Sequence, residues 1–284
     1  MIKIDSIIEH IEEFPTLPTI YTQLLEVMAN PRSTVADVAN IISQDISSST
    51  KILKHVNSPV YHLQAEVDTI SQAIFYIGFN EVKNLVITLS IMDIFGDKRS
   101  ESKFNIIDLW KHSIAVGVIT RIIGQLIGIK NIENYFLSGV IHDIGKLFFL
   151  KTMKDEYSNV IEYVNENNVL IHQAEQKVLG FDHMQAGGLL AKKWKLPQTI
   201  TNSIINHSTG KVKEQVDIQV SCVHLADIVA RIMEFGYPGD DLVPQPNLDI
   251  WRYLNIDPAT YPQILPKIVE NFEQSLSILL LNEK

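Results

Sequence analysis

Cysteine is almost missing from this chain. Cys222 stands alone among 284 residues, so no disulfide closes within the chain and no thiolate cluster can hold zinc. A reducing, cytoplasmic setting is the expectation. Positive charge is also scarce: 24 Lys and Arg face 33 Asp and Glu, a formal net charge of −9. Coating nucleic acid or an anionic membrane takes clustered cations, so neither is an expected partner. Long apolar runs are lacking. The most apolar stretches, 119–129 and 276–281, are too short or too interrupted to span a bilayer. Gly124 and Gly128 have Arg121 and Gln125 beside them, which reads as close packing of two helices rather than a membrane dimer motif. The start, Met1-Ile2-Lys3-Ile4-Asp5, lacks the basic-then-apolar order of a signal peptide. Strand-like alternation is short and has no hairpin turns to support it, so no strand is expected. There is no Gly-x-Ser-x-Gly elbow. The run from Gly139 to Gly145-Lys146 is one residue too long for a phosphate-binding loop, and Leu147 stands where Ser or Thr is needed.

What is present is the composition of an ordinary globular protein, 46% hydrophobic and 20% charged. The length suits one large helical unit or two smaller ones. Helical periodicity dominates, as in the stripes Ile20, Leu24, Val27, Met28 and Val38, Ile41, Ile42. Thr69-Ile70-Ser71-Gln72 has the form of a capping box. Asp45 is a candidate cap for a helix through His55, and Asn80 for a helix running to Phe95. The polar run 96–103 marks the expected junction between an N-terminal helical subdomain, 1–100, and a second one, 101–284. Residues 208–215 read as a polar connector, 236–247 as a long Pro/Gly-rich loop, and 266–281 as a closing helix. The predicted fold class is all-α, a multi-helix bundle.

The sharpest chemical signal is His142-Asp143-Ile144-Gly145-Lys146, at the end of an apolar helix that begins near Glu133. Neighbouring helical positions diverge by about 100°, so an ion between those directions meets an imidazole nitrogen from one and a carboxylate oxygen from the other. Lys146 shares their face and suits an anionic ligand such as phosphate. Two residues do not make a site. His112, His183, His207 and Asp227 each stand as a polar residue on an otherwise apolar helix. Four histidines and two aspartates make an octahedral or two-metal N/O set that favours iron, manganese, nickel or zinc over calcium. The bland alternative for each is a satisfied core histidine, or an aspartate partnered by Arg231, four residues after Asp227. His10, His55, His62, His172 and His224 keep that bland reading, and Cys222 reads as inert core.

The ordered series His112, His142-Asp143, His183, His207, Asp227 resembles the metal-site series of the HD superfamily of phosphohydrolases. The surrounding segments resemble, more specifically, the HDOD family: Leu109-Trp110-Lys111-His112-Ser113, Asp182-His183 with Gly187-Gly188, and Trp194-Lys195-Leu196-Pro197. Earlier segments match too, among them Phe14-Pro15-Thr16-Leu17-Pro18, Asn57-Ser58-Pro59-Val60-Tyr61 and Ile77-Gly78-Phe79. The resemblance implies an N-terminal helical subdomain packed on an HD-like one. It implies a regulatory role in bacterial signal transduction with a protein partner, and a divalent metal or a nucleotide in the HD-like pocket. The alternative it implies is a metal-dependent phosphohydrolase acting on a nucleotide or phosphoester. There the metal would activate a water, and Lys146, catalytic only in this reading, would steady the phosphate oxygens. The chain departs from the HD-GYP enzymes, which resemble it at His142–Lys146. Asn206-His207 replaces their His-His pair, and Gly236-Tyr237-Pro238 follows Asp227 instead of preceding it, as a turn in a Pro/Gly-rich loop.

Overall fold

Side-chain caps start α-helices at Thr34, Asp45, Thr69, Asn105, Asp182, Asp217 and Asn247. In the computed structural model, residues 4–280 are described except Pro31, Pro59, Val60, His62 and 96–103. The expected junction at 96–103, part of the 57–61 segment and His62 therefore lie outside the described residues. The first helices are α1 (Ile4–Glu13), α2 (Thr19–Ala29), α3 (Val35–Ser43), α4 (Ile46–Val56), α5 (Ile70–Ile77) and α6 (Phe79–Ile94). Then come α7 (Ile106–Leu126), α8 (Glu133–Val140), α9 (Ile144–Thr152), α10 (Lys154–Asn167), α11 (Ile171–Val178), α12 (His183–Lys193) and α13 (Gln198–Asn206). A hairpin of β1 (Lys211–Val212) and β2 (Gln215–Val216) precedes α14 (Ile218–Ile232), α15 (Leu248–Leu254) and α16 (Tyr261–Leu279). Among the described residues no single helix is long and apolar enough to cross a membrane.

Thr69 and Gln72 form the expected capping box at α5, and Asp45 accepts from the Ser47 and Ser48 backbone at α4. Two helix starts and one connector differ from expectation. Helix α6 starts at Phe79, after Gly78 with φ +84°, so Asn80 lies inside the first turn instead of capping it. Helix α16 starts at Tyr261 and carries Pro266 within it. The polar connector holds a two-residue-per-strand hairpin, pairing Lys211 with Val216 and Val212 with Gln215. Its turn residues, Lys213 and Glu214, both take positive φ. Asn and Gly are the residues expected in such a turn, so nothing in the sequence marked it.

The chain forms two compact units. The larger comprises Met1–Thr16 and Asp97–Ile264; the smaller comprises Leu17–Gly96 and Leu265–Lys284. In the smaller, α3 packs on α2, α4 and α5, and α6 packs on α2, α4 and α5. Helix α6 is buried along most of its length, which is why its apolar residues run all round it. In the larger, α7 packs on α8 and α14, α9 on α10 and α12, and α13 on α8, α12 and α14. Helix α1 docks on α12. Lys193 Nζ reaches the carbonyls of Ile11, Glu12 and Phe14 at 2.5–2.8 Å, satisfying the open carbonyls at the end of α1. Trp194 Nε1 donates to the Pro15 carbonyl at 3.0 Å. Gly124 lies against the Tyr135 ring of α8, so it serves close helix packing.

Candidate metal centre

Five segments of the larger unit each bring part of one cluster. His112 projects from α7, Asp227 from α14, and His183 is the first residue of α12, behind its capping residue Asp182. His207 is the residue that ends α13. His142 and Asp143 lie in the turn between α8 and α9, not within one helix, because α8 stops at Val140 and α9 begins at Ile144. The turn holds because α9 comes very close to α12 here. A Cβ at Gly145 would overlap the His183 carbonyl, so only glycine allows this approach. All six side chains are buried, none more than 6% exposed by residue.

Asp143 stands between two histidine pairs. Its Oδ1 is 3.2 Å from His183 Nε2 and 3.6 Å from His207 Nε2. Its Oδ2 is 3.3 Å from His142 Nε2 and 3.9 Å from His112 Nε2. Asp227 Oδ1 closes the second side, 3.0 Å from His112 Nε2 and 4.0 Å from His142 Nε2. His183 Nε2 and His207 Nε2 face each other at 3.3 Å. Among the described residues two groups satisfy the spacing of a metal site: His112, His142 and Asp143, and Asp143, His183 and His207.

The donor set fits a divalent cation. Asp143 Oδ1, His142 Nε2 and His112 Nε2 are buried with no hydrogen-bond partner despite the close approaches above. The shorter approaches, 3.0–3.3 Å, suit bonding in distance but not in angle. Leaving buried polar atoms so is costly unless something else binds them. The ring protons are placed to match. His142 Nδ1 is 2.7 Å from the Gly139 carbonyl and His207 Nδ1 is 3.0 Å from the Ile204 carbonyl. A carbonyl only accepts, so each Nδ1 carries the proton and each Nε2 offers its lone pair inward.

The family model of the HDOD domain matches residues 14–209. The chain belongs to the HDOD family. An uncharacterized protein of Treponema pallidum (strain Nichols) is 24% identical over 249 residues, 87% of this chain, which spans 48% of that relative's length. The fold is that of solved HDOD structures. A Geobacter sulfurreducens HDOD domain protein of unknown function superposes with a TM-score of 0.80 at 24% identity, covering 98% of this chain and 100% of that one. A Shewanella amazonensis SB2B protein with a provisional phosphohydrolase name gives 0.73 at 22% identity, covering 96% and 97%. A Marinobacter aquaeolei VT8 protein with a provisional signal-transduction name gives 0.74 at 15% identity, covering 94% and 59%.

Around the six residues the HDOD fold places partners that motif reading missed. Glu175, on α11 and fully buried, accepts from the Tyr157 hydroxyl at 2.7 Å and the His183 backbone N–H at 2.9 Å, and shares a hydrogen bond of 2.6 Å with His183 Nδ1. Its signal was faint but present: Glu175 lies four residues after Ile171, on the apolar face of α11. Burial pushes its carboxyl up to about 8. Asp240 was also missed. It accepts from Arg231 at 2.8 Å and from the Ile171 backbone at 3.0 Å, tying the 236–247 loop down. Gly236 of that loop, at φ +73°, lies against the Asp108 carbonyl and the His112 backbone, and the Tyr237 N–H bonds the Asp108 carbonyl at 3.0 Å. The Gly-Tyr-Pro turn thus sits beside the His112 backbone.

Electrostatics set the charge states. Burial holds His112 and His207 below the ordinary histidine range and pushes His183 down to about 3. Burial would raise Asp143, but His142 and Lys146 outweigh it and hold the carboxyl well below its usual range. For Asp227, Arg231 and His112 outweigh burial in the same way. Neutral imidazoles and ionised carboxylates are the forms that bind metal. His224 differs. Its Nδ1 donates to the His207 carbonyl at 2.9 Å and its Nε2 accepts from the Asn247 N–H at 3.1 Å, so it is a satisfied structural histidine.

Proposed function

We propose that this HDOD protein is a regulatory module of bacterial signal transduction that binds a protein partner. In this reading a divalent ion (iron, manganese, nickel or zinc) is held by His112, His142, Asp143, His183, His207 and Asp227 as a tuning element. The observation that carries the reading is the state of the cations. Lys146, the group that would meet a phosphate, is 1% exposed and its Nζ is bonded to Asp143 Oδ2 at 2.6 Å. Arg231 is bonded to Asp227 and Asp240. Both positive charges are turned inward, which suits holding helices together better than capturing an anion. An ion bound here would supply Lewis acidity and would couple α7, α12, α13 and α14 through their side chains.

One observation favours a second reading, a metal-dependent phosphohydrolase acting on a nucleotide or phosphoester. Buried, unpartnered donors converge on one place, as they do where a metal does chemistry. In that case Lys146 must leave Asp143 to steady a phosphate oxygen.

Elemental analysis of the tag-free protein, with turnover assays on p-nitrophenyl phosphate and bis-p-nitrophenyl phosphate, separates the two. The regulatory reading expects bound ion, lost in Asp143→Ala, and no turnover above that variant's background. It also expects chelation to lower stability by about 2.7 kcal/mol when the free ion had stood near 100 times its Kd. Turnover by the wild type that Asp143→Ala abolishes would overturn it in favour of the second reading. Absence of any ion after incubation with all four metals would remove the metal from both.

A further inference from the structure

We propose that the groove between the end of α14 and the 236–247 loop docks a basic segment of a protein partner, a lysine or arginine beside an aliphatic residue. The proposal rests on the partner-binding reading above and names the surface and the chemistry of the partner.

The groove is preformed. Arg231, Ile232 and Glu234 at the end of α14 and Tyr237, Asp241 and Val243 of the loop line a space of about 710 Å³. The loop is held at both ends. The Tyr237 N–H bonds the Asp108 carbonyl, and its ring packs edge-on against Phe104 with centroids 5.7 Å apart. The Asn247 N–H bonds His224 Nε2. Between these points Asp240, 2% exposed, is tied to Arg231 and to the Ile171 backbone. A wall already fixed in this way costs a ligand little ordering.

Charge selects the ligand. Three carboxylates, Glu234, Asp240 and Asp241, line the groove against one guanidinium, Arg231. Arg231 is bonded both to Asp240 and to Asp227. Lys111, whose stem lies near Gly236, is itself paired with Asp108 at 2.6 Å. Glu234 and Asp241 are exposed, and among the described residues their carboxylates make no hydrogen bond or ion pair. The C-terminal end of α14, which carries partial negative charge, adjoins the same residues. A phosphate is repelled there and a cation is drawn in.

Surface and donors set the rest. Ile232 and Val243 leave 63% and 48% of their surfaces exposed at the groove, a seat for an aliphatic side chain beside the cation. The Arg231 side chain is 8% exposed; Nε is bonded to Asp227 and Nη1 to Asp240 and the Leu242 carbonyl. Nη2 makes no hydrogen bond among the described residues, which leaves a fixed donor for a peptide carbonyl. The Val243 N–H and carbonyl are unbonded in the same sense. Free backbone groups set beside side-chain seats are what an extended peptide uses. Ile232, Glu234, Asp241 and Val243 are all exposed, so the groove is open. That suits a chain segment better than a small molecule, which needs enclosure.

The test selects a displayed random heptapeptide library on the full chain. Synthetic copies of enriched peptides are then measured by fluorescence anisotropy, with circular dichroism of every variant. Enriched peptides should carry Lys or Arg next to Leu, Ile or Val. Glu234→Gln and Asp241→Asn should each weaken them about 2- to 5-fold, and the two together about 10-fold, the range for exposed ion pairs. Ile232→Ser should cost about 10-fold through lost apolar contact. Glu9→Gln with Glu13→Gln on α1, the same change in net charge outside the groove lining, should leave affinity unchanged. Enriched peptides without a basic residue, equal binding by the Glu234→Gln/Asp241→Asn double variant, or no enrichment at all would overturn the assignment. Full displacement by spermidine at the peptide's own concentration would overturn it in favour of a small polyamine. None of these outcomes touches the regulatory reading, which falls instead to phosphoester turnover.

Discussion

The two units bury polar side chains in different ways. In the smaller one several are answered pair by pair. Tyr61 donates to Glu81 at 2.7 Å, Ser58 to the His55 carbonyl at 2.6 Å, and Thr88 to the Asn84 carbonyl at 2.9 Å. Its buried histidine, His55, packs edge-on against the Tyr61 ring. In the larger unit polar residues from five segments converge, and among the described residues both metal-competent groups lie there. The difference teaches that burial alone does not mark a site. His55 and His207 are both buried histidines at helix ends. What distinguishes His207 is that its second ring nitrogen meets other donors.

The comparison can be broken by substitution, and the largest expected effect is at Asp143. Asp143→Ala should remove ion binding and strand the buried Lys146 ammonium, at about 3–5 kcal/mol in chemical denaturation. Glu81→Gln in the smaller unit keeps an acceptor for Tyr61, so it should cost only about 1 kcal/mol and leave ion binding untouched. Equal losses at the two positions would end the distinction. Gly145→Ala comes next. Its Cβ has no room against the His183 carbonyl, so α9 and α12 must separate, for about 1–3 kcal/mol and a weaker affinity for Zn²⁺ in titration. Thr69→Ala removes one half of the capping box at α5. A loss near ~1 kcal/mol in thermal melts, with unaltered ion binding, sharpens the contrast between structural and site polarity. The smallest effect concerns Cys222 on α14. Burial pushes its thiol up to about 12, so native protein should resist a thiol reagent at about pH 8 and react at the rate of unfolding. Rapid labelling would show that the α14 core opens readily.

The all-α class, the Thr69 and Asp45 starts and the positions of His112, His183, His207 and Asp227 on their helices were legible, because each depends on spacing within one segment; His142 and Asp143 proved to lie in a turn after the helix. Less local features were hidden. Glu175 sits among Gln173, Gln176 and Lys177, and looks solvated until Tyr157 of the preceding helix covers it. Asp240 looks like one more loop acid until Arg231 and the Ile171 backbone claim both of its oxygens. The Lys213-Glu214 turn defied the usual residue preferences, so the hairpin had no signature.

Sequence by itself determined that this chain is helical, that it belongs with the HDOD family, and which imidazoles and carboxylates stand at helix ends and apolar faces. Periodicity and capping are short-range physics, written in residues three or four apart. Only the tertiary structure decided that six of those groups share one buried space, that Lys146 turns inward to Asp143, and that Glu175 lies against the His183 imidazole. Those outcomes depend on helix packing, which places atoms far apart in the chain within hydrogen-bonding and metal-ligating reach of one another. At that range a single neighbour decides whether a histidine is core or ligand.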